Sequence, residues 1–166
     1  MTLLRIFGTA DDSIVDGPGI RFSVFTQGCR HACPGCHNPD AQPFEGGREV
    51  TVEELMHLIE ANPLLAGITL TGGEPFEQPA PLLELACWAR ERGLNVWAYS
   101  GYCYEELLDA VPSALARELL ESVDVLVDGR FVEAQKSYEL KWRGSANQRI
   151  IDVPASLAAN KVVELL

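Results

Sequence analysis

Apolar positions along the chain switch between a spacing of two and a spacing of three to four, and the switches mark alternating strands and helices. Over residues 20–27, Phe22, Val24 and Thr26 fall on one side and Ser23, Phe25 and Gln27 on the other, which is a strand ending at Gly28. An apolar opening at residues 3–7 predicts an earlier strand. A polar loop over 11–19 follows it and closes in the turn Gly17-Pro18-Gly19. Residues 39–48 read as irregular. Thr51 then starts a helix with the capping box Thr51-x-x-Glu54, and Val52, Leu55, Met56 and Ile59 form its buried stripe.

The alternation continues to the end of the chain. Residues 67–71 form a short strand that breaks at Gly72-Gly73. Pro79 and Pro81 open a helix with the stripe Leu82, Leu85, Ala86 and Ala89, and Gly93 ends it. Residues 94–99 predict a third strand of the series, two short helical pieces surround Pro112, and residues 123–127 predict a fourth strand ending at Asp128-Gly129. Residues 149–153 read as a fifth, and the tail from Pro154 is weakly helical. Repeated strand–helix units predict a parallel sheet with right-handed crossovers. Five units fall short of a complete eight-stranded barrel of about 250 residues, so the expected fold is α/β: an open, partial β/α barrel with about five parallel strands.

Ligands collect at the strand ends of such folds, in the βα loops. The first strand ends at the cysteines Cys29, Cys33 and Cys36, the second at Thr71-Gly72-Gly73-Glu74, the third at Ser100-Gly101-Tyr102 and the fourth at Asp128-Gly129-Arg130. Thiolates, bare backbone, carboxylates and a cation therefore meet on one rim.

Composition narrows what that rim can serve. The chain has 166 residues, 47% apolar and 22% charged, enough for one ordinary globular domain with a core, taken as residues 1–166. A net charge of −11 argues against a nucleic-acid or anionic-membrane surface. No stretch approaches the roughly 20 apolar residues of a membrane helix, and residues 1–13 carry no signal-peptide pattern. Five cysteines, three of them in one loop, suit a cytoplasmic metal or cluster protein better than a disulfide framework.

The spacing C-x3-C-x2-C lets three thiolates converge on one object the size of an iron–sulfur cube, with Pro34-Gly35 supplying the turn between the last two. A 4Fe–4S cube held by three cysteines leaves one iron open to a substrate. A structural zinc site needs four ligands, and His31 or His37 would have to be the fourth. The spacing admits both, and in the second case the chain would be an interaction module without catalysis. The turn Gly72-Gly73-Glu74-Pro75 offers backbone without side chains and a carboxylate beside it, suited to an ammonium group.

Cys29-x3-Cys33-x2-Cys36 followed by Gly72-Gly73-Glu74 resembles the radical S-adenosylmethionine enzymes. Asp16-Gly17-Pro18-Gly19-Ile20-Arg21, Gly28-Cys29 and Cys36-His37-Asn38-Pro39 resemble the glycyl-radical-enzyme activases of that family. Cys33-Pro34-Gly35-Cys36, the run from Val125 to Phe131 and the run from Leu140 to Arg149 are similar to the branch whose partner is an anaerobic ribonucleotide reductase. The resemblance implies a 4Fe–4S cluster on the three cysteines. It also implies S-adenosylmethionine chelated to the fourth iron, with its amino group at the Gly-Gly-Glu turn. Reductive cleavage would give a 5′-deoxyadenosyl radical that takes hydrogen from a glycine Cα of the partner's glycyl-radical subunit, an electron donor such as a flavodoxin or ferredoxin supplying the electron. An activase of another glycyl-radical enzyme, of the pyruvate formate-lyase type, is the alternative. Gly35 stands where many of these enzymes carry an aromatic residue, and the tail after Val153 lies outside the resemblance.

Ser100, Tyr102, Asp128 and Arg130 are candidates to contact the cofactor's carboxylate or ribose, against a plain reading as turn residues. Arg21 would either seat the partner's glycine loop or support its own turn. Asn147 and Gln148 precede the fifth strand; were that strand parallel, they would sit at the opposite rim, so they carry no expected role in catalysis. Cys87 and Cys103 read as incidental thiols and His57 as a solvated helix residue.

Overall fold

The computed structural model describes residues 2–165. Its strands are β1 (Leu3–Ser13), β2 (Arg21–Thr26), β3 (Arg48–Thr51), β4 (Gly67–Gly72), β5 (Asn95–Ser100), β6 (Val125–Asp128) and β7 (Arg149–Asp152). They form one mixed sheet in the order β3-β1-β2-β4-β5-β6-β7. β2, β4, β5 and β6 run parallel, while β1 is antiparallel to both β2 and β3, and β7 is antiparallel to β6. The parallel set therefore has four strands, and the expected fifth runs the other way.

The reason lies in the connections. Helices carry the chain back to the start of the sheet between β2 and β6, namely α1 (Val52–Glu60), α2 (Pro79–Glu91), α3 (Tyr104–Leu108) and α4 (Ala114–Glu121). After β6 comes an irregular arm whose one regular piece is a 3₁₀ turn at Glu133–Gln135. Without a crossover helix to return it, β7 starts at the rim where β6 ended. β1 differs from expectation at its end as well, since it continues through Asp11 and Asp12 to pair Ser13 with Arg21 across a register shift. β3 was not anticipated; its four residues alternate too little to mark a strand and are held by pairing with β1.

The helices share one core on one face of the sheet. Val24, Leu70, Ala98 and Leu126 lie in register across the parallel strands and pack with Leu82, Leu85 and Ala86 of α2 and Leu119 and Leu120 of α4. Of the expected capping box the N-cap half forms, with Thr51 Oγ1 accepting the Glu54 N–H at 3.1 Å. The final helix, α5 (Val153–Ala159), is capped by Asp152, whose carboxylate accepts the Ala155 N–H at 3.0 Å. On the opposite face Phe25, Thr71, Tyr99 and Val127 form the corresponding row, and no helix covers them; they line a cavity.

Arg21 settles at the other end of β2 from the cysteines. It is fully buried, and its guanidinium donates to Thr69 Oγ1 at 2.8 Å, to Pro18 O at 3.0 Å, to Ile68 O at 2.7 Å and to Asn95 O at 3.0 Å. Burial pulls its pKa down to about 10. Of its two expected roles, support of the Gly17-Pro18-Gly19 turn is the one the fold uses.

Candidate metal centre and cofactor pocket

β2 delivers the cysteine loop to the rim, and the segment after the loop fastens it there. The Gly28 N–H donates to Ala41 O at 2.7 Å and the Cys29 N–H to Gln42 O at 2.9 Å. The Gln27 side chain reaches Asp40 O at 3.0 Å and Pro43 O at 2.6 Å. Cys36 N–H closes on Cys33 O at 3.2 Å around Pro34-Gly35, with Gly35 at φ +75°. The Asn38 N–H donates to Cys36 Sγ at 3.4 Å, leaving that sulfur inside the turn.

Cys29, Cys33 and Cys36 are free thiols, each half-buried, and all three line one cavity of about 1000 Å³ on the helix-free face. Burial pushes the Cys29 thiol up to about 11, so its thiolate is disfavoured until a cation joins it. Among the described residues no three side chains of His, Cys, Asp or Glu stand close enough together to hold one metal ion. A cube asks for less convergence, because each cysteine binds a different iron at a separate corner. The donor set, its turn and the shared cavity fit such a cluster.

The two histidines considered as a fourth zinc ligand are both engaged. His37 packs edge-on against Phe131 with ring centroids 4.9 Å apart. The His31 side chain is 3% exposed, with Nε2 2.7 Å from Glu74 Oε1.

The Gly-Gly-Glu turn ends β4 directly beside this loop. Gly73 N–H donates to Thr26 O and Glu74 N–H to Gly28 O, both at 2.8 Å. A Cβ on Gly72 would fall 2.2 Å from Thr26 N, and one on Gly73 2.5 Å from Gly28 O. The glycines thus let two strand ends approach each other, a reason separate from access to a ligand. Glu74 is 1% exposed and sits behind the cavity wall. Its carboxylate accepts from His31 and from the Gly101 N–H (2.8 Å) on Oε1, and from Ser100 Oγ (2.9 Å) and the Phe76 N–H (3.1 Å) on Oε2.

The third and fourth strand ends divide. Ser100 and Gly101 line the cysteine cavity, whereas Tyr102 is buried with its ring against His31 at 4.5 Å. Burial and the neighbouring Glu77 carboxylate raise the Tyr102 phenol well above its ordinary range. Asp128 and Arg130 line a smaller adjoining cavity of about 510 Å³, and Gly129 between them borders both. Asp128 is buried, taking the Tyr104 N–H at 2.8 Å and both prongs of Arg149. Arg130 is exposed, with its carbonyl accepting from Asn147 Nδ2 at 2.8 Å.

Asn147 and Gln148 stand at the same rim as the cysteines, because β7 is antiparallel; the opposite-rim placement is overturned. Gln148 organises the arm: its Oε1 accepts from the Gly144 N–H (2.8 Å) and the Ser145 N–H (3.2 Å), and its Nε2 donates to Gly129 O (3.0 Å). The arm in turn brings Trp142 and Arg143 over the cavity, with Tyr99 Oη donating to Trp142 O at 2.6 Å. The only trace of this in the sequence is the density of polar residues from Arg143 to Arg149, which lacks any periodicity. Cys87 is exposed on α2, and Cys103 borders the smaller cavity.

The sequence matches the family described as "4Fe-4S single cluster domain" over residues 15–151. It is 37% identical over 145 residues to the anaerobic ribonucleoside-triphosphate reductase-activating protein of Escherichia coli strain K12, covering 81% of this chain and 90% of that one. The protein of the same name from Haemophilus influenzae is 34% identical over 162 residues, covering 90% and 97%. Among solved structures, QueE from Escherichia coli aligns with a TM-score of 0.47 at 15% identity, covering 60% of this chain and 52% of that one.

Proposed function

Because this chain belongs to the 4Fe-4S single cluster domain family, and within it to the anaerobic ribonucleoside-triphosphate reductase-activating proteins, we propose that it installs a glycyl radical in an anaerobic ribonucleotide reductase. The observation that carries the reading is the shared cavity. Three free cysteines and the bare backbone of Gly72-Gly73 face one space of about 1000 Å³ on the sheet face without helices. Cys29, Cys33 and Cys36 would hold a 4Fe–4S cluster. Bound there, such a cluster would supply the low-potential electron for reductive cleavage of S-adenosylmethionine, the chemistry that glycyl-radical formation in the partner needs.

The chain's own residues position and enclose. Gly72 and Gly73, which line the cavity, would offer backbone to the cofactor's amino group, with the buried Glu74 carboxyl behind them. Ser100, on the same wall, would stand beside the cofactor, while Asp128 and Arg130 border the adjoining space suited to its polar ribose side. The four parallel strands are the part of the sheet that would curve into an open barrel, and one continuous sheet supports treating residues 1–166 as one domain. The arm carrying Trp142 and Arg143 limits water at the cavity. An electron donor of the flavodoxin or ferredoxin kind and a cytoplasmic setting belong to the same reading; no helix among the described residues is long and apolar enough to cross a membrane.

The test is anaerobic. Reconstituted protein should contain about four irons and four sulfides per chain. On reduction it should release 5′-deoxyadenosine and give the reductase a glycyl-radical spin signal. Cys33→Ser should abolish the release; release undiminished in that variant would defeat the ligand assignment.

A further inference from the structure

Within the arm after β6, one stretch closes on itself. The Ala146 N–H donates to Gln135 O at 2.9 Å, Lys136 bridges to Ser145, and Ser145 Oγ accepts the Val132 N–H at 3.2 Å. Residues 136–145 therefore leave and return at one pinned base, as a compact surface loop does. Lys136, Tyr138, Leu140 and Trp142 of this loop all line the cysteine cavity.

Away from its base the loop is tied to the sheet at Trp142. Tyr99 Oη donates to the Trp142 carbonyl at 2.6 Å, and the Trp142 ring meets Trp97 edge-on with centroids 5.2 Å apart. Burial raises the Tyr99 phenol far above its ordinary range, so it keeps its proton and stays a donor. Among the described residues, no other hydrogen bond joins residues 137–142 to the sheet. Tyr138, near the tip, is 88% exposed.

This closed position carries strain. Trp142 has φ +61°, a left-handed conformation that a bulky side chain holds only where its surroundings enforce it. Beside it, Arg143 Nε is buried without a hydrogen-bond partner. One neutral hydrogen bond and one ring contact thus oppose two features that favour release.

Space gives the loop a reason to open. A drug-sized ligand takes a site of about 300–1,000 Å³. A cavity of about 1000 Å³ is taken up by a cluster with S-adenosylmethionine, leaving no room for a stretch of polypeptide. A wall must move before a glycine Cα can approach. The cysteine loop and strand ends are fastened by backbone bonds, whereas residues 137–142 hang on Trp142.

We propose that residues 136–145 form a lid, latched by the hydrogen bond from Tyr99 to Trp142, and that the partner's glycine-bearing segment binds once the latch opens. The inference rests on the proposed function, which supplies the partner. Apparent affinity for that partner is then reduced by the fraction of molecules that are closed.

Tyr99→Phe removes the latch and keeps the ring, and two measurements read the result. The first is trypsin cleavage of the native chain, with fragments identified by mass. Cleavage after Lys141 tracks the open population and should quicken by about threefold or more, as the loss of one neutral hydrogen bond warrants. Cleavage after Arg117 on α4 should not change. Unchanged cleavage at Lys141, or an equal rise at both sites, would overturn the lid.

The second is anaerobic binding of the intact reductase to cluster-loaded protein with S-adenosylmethionine, without reductant, followed by surface plasmon resonance. Tyr99→Phe should bind more tightly by about threefold or more, through faster association. A tyrosine that only supports the binding surface predicts weaker binding in the variant, so weaker or unchanged binding would overturn the proposal. Should neither the wild type nor the variant bind the reductase, the proposed function falls, while the trypsin result still decides whether the loop is a lid.

Discussion

Asp128 and Arg149 face each other across β6 and β7, with Arg149 Nε 3.0 Å from Asp128 Oδ1 and Nη2 2.6 Å from Oδ2. They are also register partners in the antiparallel ladder. The pair fixes the direction of the last strand, and with it the rim on which Asn147 and Gln148 stand. Arg149 additionally reaches Glu105 at 2.8 Å, tying α3 to the same point.

Arg149→Ala leaves the Asp128 carboxylate buried without its cation. Losing one partner of such a pair costs about 3 kcal/mol. Urea unfolding should show a loss of that order, with Arg149→Lys recovering little because it cannot make both contacts.

The same arginine sets an acid limb. Its hydrogen bond holds the Glu105 carboxyl below the ordinary carboxylate range. The folded pKa lies under the unfolded one, so this stabilisation is complete above the unfolded value of about 4.3 and is lost as pH falls through the folded one. Thermal unfolding followed from pH 6 to pH 3 should show the loss, and Arg149→Ala should flatten it.

Gly73→Ala would drive a methyl group into Gly28 O at 2.5 Å and Ala41 O at 2.8 Å, both backbone atoms that cannot swing aside. The cysteine loop must shift, at a cost of about 1–3 kcal/mol. Reconstitution of this variant should yield markedly less iron and sulfide per chain than the wild type. Full cluster loading would show that the tight approach of β4 to β2 is dispensable.

Arg21→Ala removes a guanidinium with at least four acceptors and leaves a cavity between β2, β4 and β5. Stability should drop by about 3 kcal/mol or more. Cluster content measured at low temperature should not change, because this residue lies at the far end of β2 from Cys29.

Gln148→Glu keeps an oxygen for the Gly144 and Ser145 N–H groups but sets a second oxygen against Gly129 O, 3.0 Å from the present nitrogen. The arm should loosen while the sheet persists. Hydrogen exchange should accelerate at Gly144 and Ser145, with β4 and β5 unaffected.

Much of this protein was readable in the chain. The two-residue alternation of Phe22, Val24 and Thr26, the N-cap at Thr51, and the glycines that end strands announce the central strands and their helices, because such signals are local and each element forms from its own residues. The cysteine spacing is local too, so the cluster loop could be read directly.

Strand direction and atomic partnership were a different matter. Nothing near residue 149 says that β7 runs antiparallel; the missing crossover helix and the Asp128–Arg149 pair decide it over 21 positions of sequence. Glu74 could be read as a carboxylate facing a ligand, yet packing buries it among four hydrogen-bond partners, one of them His31, 43 positions earlier. Local periodicity determines which elements form, whereas their directions and the orientation of a buried side chain depend on groups brought together only when the sheet closes.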